Sequence, residues 1–138
     1  MSKTTTMNVE VLFSDCGPAG IVSYPSYYQW LDAASMHFFM TCGVPPWHDL
    51  EPTTGIVGTP VLEQHMRFFK SASYGEQLTF TTTITQWRPK AFVQKHTITR
   101  GADLIGEGLE TRVFCVRAGP DRALKAIVVP PDIRRLCE

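Results

Sequence analysis

Apolar residues recur along this 138-residue chain at two different periods, and the change of period divides it. Met7 to Phe13 (Met-Asn-Val-Glu-Val-Leu-Phe) alternates residue by residue and predicts a first strand. Ser14 to Gly20 is dense in turn formers and predicts a loop. A helical period follows. Tyr28, Leu31, Ser35, Phe38, Phe39 and Cys42 fall on one face of a 3.6-residue wheel, with Tyr27, Trp30 and Ala34 widening it. Pro25 suits the first turn of that helix, Gly43 its end, and Pro45 and Pro46 stop any continuation. The opposite face, Gln29, Ala33, His37 and Met40, carries almost no formal charge, so the helix is expected to be enclosed by the rest of the domain.

After a Pro-rich connection the pattern is that of strands. Gly55 to Phe69, Gln77 to Trp87, Phe92 to Arg100, Leu104 to Val116 and Ala123 to Val129 are rich in Val, Ile, Thr and Phe and are separated by turn signals. Short connections favour antiparallel neighbours. Pro130 to Cys137 is expected to close the chain as a short helix. The prediction is α+β: one long helix wrapped by a curved antiparallel sheet of five or six strands, in a single domain over residues 1–138.

Charge narrows the function. Thirteen Lys and Arg balance thirteen Asp and Glu, which argues against nucleic acid as a partner, because such binding needs a basic excess. No apolar run approaches the roughly 18 residues that span a bilayer, and no membrane partner is expected. Cys16, Cys42, Cys115 and Cys137 are far apart and make no C-x-x-C, so no metal is expected and the thiols are read as reduced, in a cytoplasmic protein. From Cys16 to Trp47 the only charged residue apart from His37 is Asp32.

Ala19-Gly-Ile-Val22, Tyr24-Pro25, Trp30-Leu-Asp-Ala-Ala-Ser35, Cys42-Gly43, Pro45-Pro-Trp47, Gly55-Ile-Val-Gly-Thr-Pro60, Phe92-Val-Gln94 and Arg112-Val-Phe114 occur in this order. Together they make the chain, from about Val11 to Cys137, similar to the 4-hydroxybenzoyl-CoA thioesterases of the hotdog-fold superfamily. The resemblance implies a hotdog fold, hydrolysis of an aryl- or acyl-CoA thioester without metal or other cofactor, and a homotetramer built from dimers with sites between subunits. It assigns the amide of Tyr24, at the start of the long helix, to the oxyanion. Asp32 and Trp47 would line the aromatic acyl pocket, with the Asp32 carboxylate on the phenolic hydroxyl or on a neighbouring loop amide. Thr59 would sit near the acyl group, and Arg88 and Lys90 against the coenzyme phosphates, with Pro89 interrupting the basic run expected there.

One position departs from the family. The second acid of its Asp-x-Asp pair before Pro-Ala-Gly, the catalytic carboxylate, is Gly17 in Asp15-Cys16-Gly17-Pro18. A thioesterase needs a carboxylate to attack the carbonyl or to activate water. Three readings follow. Another acid serves, with Asp15 nearest and Glu63, Asp49, Glu51 and His48 as further titratable groups; or the protein binds aryl-CoA with little hydrolysis; or Gly17 is an introduced replacement. Asp15 also suits a turn or capping bond to nearby amides. His37, His65 and His96 have no triad or metal spacing and are read as structural or surface residues.

Overall fold

The computed structural model describes residues 2–138, and Met1 lies outside the described residues. In chain order it contains β1 (Thr4–Glu10), a 3₁₀ turn (Phe13–Asp15), α1 (Tyr24–Thr41), α2 (Trp47–Thr54), β2 (Ile56–Gly58), β3 (Val61–Phe68), β4 (Gln77–Trp87), β5 (Phe92–Arg100), β6 (Asp103–Arg112), β7 (Phe114–Ala118), β8 (Ala123–Ile127) and α3 (Pro131–Cys137). Five strands form one sheet in the order β1-β4-β5-β6-β3, and three form a second in the order β2-β7-β8. Every pairing is antiparallel.

The long helix against an antiparallel sheet is the expected architecture, with three differences in its parts. The first strand runs Thr4–Glu10 rather than Met7 to Phe13, because Leu12 to Asp15 tightens into the 3₁₀ turn. The Pro-rich connection contains α2, an element its pattern does not predict. Pro46 stands at its N-cap and Gly55, at φ 79°, ends it by donating to the Glu51 carbonyl at 2.9 Å. Only a residue tolerant of the left-handed region closes a helix this way without strain.

The third difference is that two long apolar runs each split. Gly55 to Phe69 divides into β2 and β3 at Thr59-Pro60, and Leu104 to Val116 divides into β6 and β7 at Val113. The two breaks face each other: the Val113 amide donates to the Pro60 carbonyl at 3.3 Å. Pro60 has no N–H for a ladder, so both chains leave the large sheet together and pair again in the small one.

The inner face of the large sheet is apolar at both ends and polar between. One cluster gathers Phe38, Phe39, Ile84, Phe92 and Phe114. The other gathers Tyr27, Leu31, Leu78, Phe80, Ile98 and Ile105. Along β4 the inward residues read Leu78, Phe80, Thr82, Ile84, and along β5 Phe92, Gln94, His96, Ile98, all buried. A polar band thus crosses the core beneath the middle of α1, where Ser35 is 1% exposed.

The helix is not enclosed on every side within one chain. Ser26, Tyr27, Leu31, Ala34, Ser35, Phe38 and Phe39 are buried, whereas Tyr24, Tyr28 and Met40 are among the exposed large hydrophobic residues. Tyr28, placed on the buried face by the wheel, lies outside it because the sheet covers a narrower stripe than the apolar pattern occupies.

Candidate active site

The start of α1 is built from Asp15. Its main-chain carbonyl accepts from the Ser23 amide at 3.0 Å and the Ser26 hydroxyl at 3.0 Å, and its carboxylate accepts the Leu12 amide at 2.8 Å. This is the capping role the turn pattern offered. Ser23, the N-cap of α1, makes no side-chain capping bond. Pro25 has no N–H, and the Ser26 amide bonds the Ser23 carbonyl at 3.1 Å. No acceptor among the described residues meets the Tyr24 amide, which points out of a helix start whose dipole favours negative charge.

Gly17 lies in the turn just before. Its amide donates to the Ile21 carbonyl at 2.9 Å and its carbonyl accepts from Gly20 at 3.0 Å. A Cβ placed there meets nothing within 4 Å, and its φ lies outside the positive region.

Further along α1 a cavity of about 590 Å³ opens between the helix, α2, the Thr59 loop and the β7–β8 hairpin. Asp32, Trp47 and Thr59, drawn from three elements, share its wall with Arg112 and, at the rim, Arg117. Trp47 is fixed edge-on by Phe114 and tilted against Phe39, with ring centres 6.2 and 5.4 Å apart. Asp32 finds neither a loop amide nor isolation: Arg112 Nη1 donates to its Oδ1 at 3.0 Å, and the same nitrogen donates to the Thr59 carbonyl at 2.9 Å.

Behind Arg112 runs a chain of buried polar groups. Its Nε and Nη2 donate to Glu110 at 3.1–3.2 Å. Glu110 also accepts from Gln64 and pairs at 2.7 Å with His96 Nε2, whose Nδ1 meets the Thr82 hydroxyl at 2.8 Å. The network is satisfied when Thr82 donates to Nδ1 and Nε2–H donates to the carboxylate, an assignment made from its partners. Burial pushes the Glu110 carboxyl up, but the His96 and Arg112 contacts together outweigh it and hold its pKa below the ordinary glutamate value. Ser35 donates to Gln94 Oε1 at 2.5 Å at the next rung of the band.

The predicted residues therefore fall in three places. Asp32, Trp47 and Thr59 come together. Asp15, Gly17 and Tyr24 lie at the helix start, where Tyr24 borders a separate cleft with Phe68 and Phe69. Eight residues of helix, about 12 Å, separate Tyr24 from Asp32 along the axis. Arg88 and Lys90 are exposed in the β4–β5 hairpin. Glu63, Asp49, Glu51 and His48 are exposed surface residues, and His96 is the buried structural one. The sequence reading missed the roles of Glu110 and Arg112. Their signal was a pair of opposite charges two residues apart, which on one strand share a face, the inward face of β6.

A profile of the thioesterase-like superfamily matches residues 11–136, and the chain belongs to that superfamily, in its hotdog fold. The 4-hydroxybenzoyl-CoA thioesterase of Pseudomonas sp. strain CBS-3 is 44% identical over 142 residues, 99% of each chain. The solved structure of an aspartate-to-asparagine mutant of 4-hydroxybenzoyl-CoA thioesterase, complexed with 4-hydroxybenzoyl-CoA, superimposes with a TM-score of 0.92 at 45% identity, covering 98% of this chain and 99% of the other. A gentisyl-coenzyme A thioesterase matches at a TM-score of 0.83 and 28% identity, covering 96% and 98%.

Proposed function

We propose that the protein is an acyl-CoA thioesterase that hydrolyses an aromatic thioester of the 4-hydroxybenzoyl-CoA type to the free acid and coenzyme A, acting as one domain of a cytoplasmic homo-oligomer. The observation that carries this reading is the cavity in which Asp32, Trp47 and Thr59 meet, whose volume of about 590 Å³ suits a small ligand enclosed by aromatic and a few polar groups. The Asp32 carboxylate would accept the ring hydroxyl, with Trp47 and Thr59 flanking the ring. The Tyr24 amide would donate to the carbonyl oxygen as it gains charge, while water adds to the carbon and the C–S bond breaks to release the thiol. Arg88 and Lys90 would hold the coenzyme phosphates.

The separation of Tyr24 from Asp32 supports a site completed by a second copy of the chain. So do β3, an edge strand with unpaired backbone groups, and the outward side of α1, where Tyr24, Tyr28 and Met40 are exposed. The dimer-of-dimers arrangement rests on the family resemblance.

A second reading has its own observation. Asp15, the nearest acid, spends its carboxylate on the Leu12 amide, and position 17 is open, so a protein that binds aryl-CoA and turns it over slowly also fits. Thiol release from 4-hydroxybenzoyl-CoA separates the two. Turnover at tens per second supports the enzyme with another base, binding with negligible release supports the slow binder, and neither binding nor release overturns the aryl-CoA assignment.

A further inference from the structure

We infer that Arg112 is a positioning residue that sets the place of the Asp32 carboxylate, and with it the preference of the pocket for an acyl ring bearing a hydroxyl. The inference rests on the proposed aryl-CoA reading and adds a residue to it. Asp32 comes from α1 and Thr59 from the loop between β2 and β3, so nothing in the backbone of either fixes their separation. One nitrogen, Arg112 Nη1, bonds both, at 3.0 Å and 2.9 Å.

The guanidinium cannot follow Asp32 if that side chain moves. Arg112 is 3% exposed, and its other side is forked onto Glu110, which is fully buried and held in turn by His96 and Gln64. Asp32, by contrast, has a side chain 75% exposed. A surface carboxylate ordinarily samples several rotamers and would be a poor fixed acceptor. Anchored at Oδ1 by this single bond, the carboxylate keeps Oδ2 without a partner among the described residues and available to an incoming hydroxyl.

The buried charge arrangement also suits the step at which the ligand excludes water. A carboxylate enclosed in a pocket is costly unless it is paired, and Arg112 remains beside Asp32 in the occupied state. Glu110 holds the other side of the Arg112 guanidinium, so the cation stays beside Asp32 when the ring arrives. A device that only tied α1 to the sheet would need no contact with the Thr59 carbonyl of the β2–β3 loop.

The test measures dissociation constants of the full-length protein for two non-hydrolysable thioethers, 4-hydroxybenzyl-CoA and benzyl-CoA, and takes their ratio. Unmodified protein is expected to favour the hydroxylated ligand by about tenfold or more, the range of a hydrogen bond to a charged group. Arg112→Lys keeps the charge but loses the fork, and is expected to bring the ratio close to one. Asp32→Glu, at an exposed position that tolerates substitution, keeps the carboxylate but carries it one methylene past Arg112 Nη1, and is expected to do the same. A purely structural Arg112 would weaken both ligands alike and leave the ratio intact in Arg112→Lys. A mobile Asp32 would leave it intact in Asp32→Glu, and that result overturns the inference even if Arg112→Lys fails to fold. Equal binding of the two ligands by the unmodified protein overturns both the inference and the hydroxybenzoyl reading beneath it.

Discussion

Gly17→Asp is the perturbation whose outcome the structure specifies most fully. The new Cβ would meet no atom within 4 Å, and the backbone there is outside the left-handed region that penalises side chains. The turn that holds it, through Ile21 and Gly20, uses main-chain bonds that the substitution leaves in place. Replacing a glycine whose native conformation suits other residues narrows the unfolded ensemble, worth about 0.4–1 kcal/mol in favour of folding. The thermal midpoint should hold or rise. The carboxylate would stand in the turn before α1, near the unbonded Tyr24 amide, where a base and an oxyanion donor are wanted together. A positioned general base contributes roughly 10²–10⁴ in rate, about 3–5 kcal/mol of barrier. Thiol release from 4-hydroxybenzoyl-CoA, measured in single-turnover and steady-state modes on both proteins, should show a gain of that order in the chemical step. If the unmodified protein already turns over at tens per second and Gly17→Asp adds nothing, the reasoning from the missing base is wrong.

Three further outcomes follow from the core. Glu110→Gln leaves Arg112 and His96 without their shared carboxylate and should cost about 3–5 kcal/mol in urea unfolding. Because the folded pKa of Glu110 lies below its unfolded value, its stabilisation is complete above about pH 4.3 and is lost as pH falls through the lower folded value; the unmodified protein should therefore lose stability more steeply in acid than the variant, and equal slopes would refute the assignment. Gly106→Ala would set a Cβ 2.8 Å from the Arg67 carbonyl and 3.4 Å from Phe68 on β3, so the ladder must part; a loss of about 1–3 kcal/mol with faster amide exchange across β3 is expected, and unchanged exchange there counts against the contact. Burial raises the pKa of the Cys42, Cys115 and Cys137 thiols, while Cys16 is partly exposed; a disulfide reagent at pH 8 should label one thiol rapidly in the native protein and four in denaturant.

The resemblance was legible because its residues are local. Helix start, turn glycines and the Pro-Pro-Trp47 segment carry their meaning within a few positions, and β4 and β5 were bounded correctly from Gln77 to Trp87 and Phe92 to Arg100. The splitting of the two longer runs was not legible. A strand that changes sheets keeps its alternation on both sides of the break, and only the opposition of Pro60 to Val113 shows where it occurs. α2 was hidden for a related reason: eight residues with two prolines at hand offer no period long enough to read.

By itself the sequence determined the architecture, the family likeness, the absent carboxylate at position 17 and the isolation of Asp32 as the lone acid of a long uncharged stretch. Tertiary structure alone decided what Asp32 does with its charge. Arg112 is 80 residues away on β6 and meets it only in the folded chain, and that guanidinium is tolerated in the core only because Glu110 pairs with it and is held in turn by Gln64 and by His96, which Thr82 backs, so that four strands contribute. Local patterns report the preferences of neighbouring residues, whereas a buried ion pair is stable only when remote groups satisfy every donor and acceptor at once.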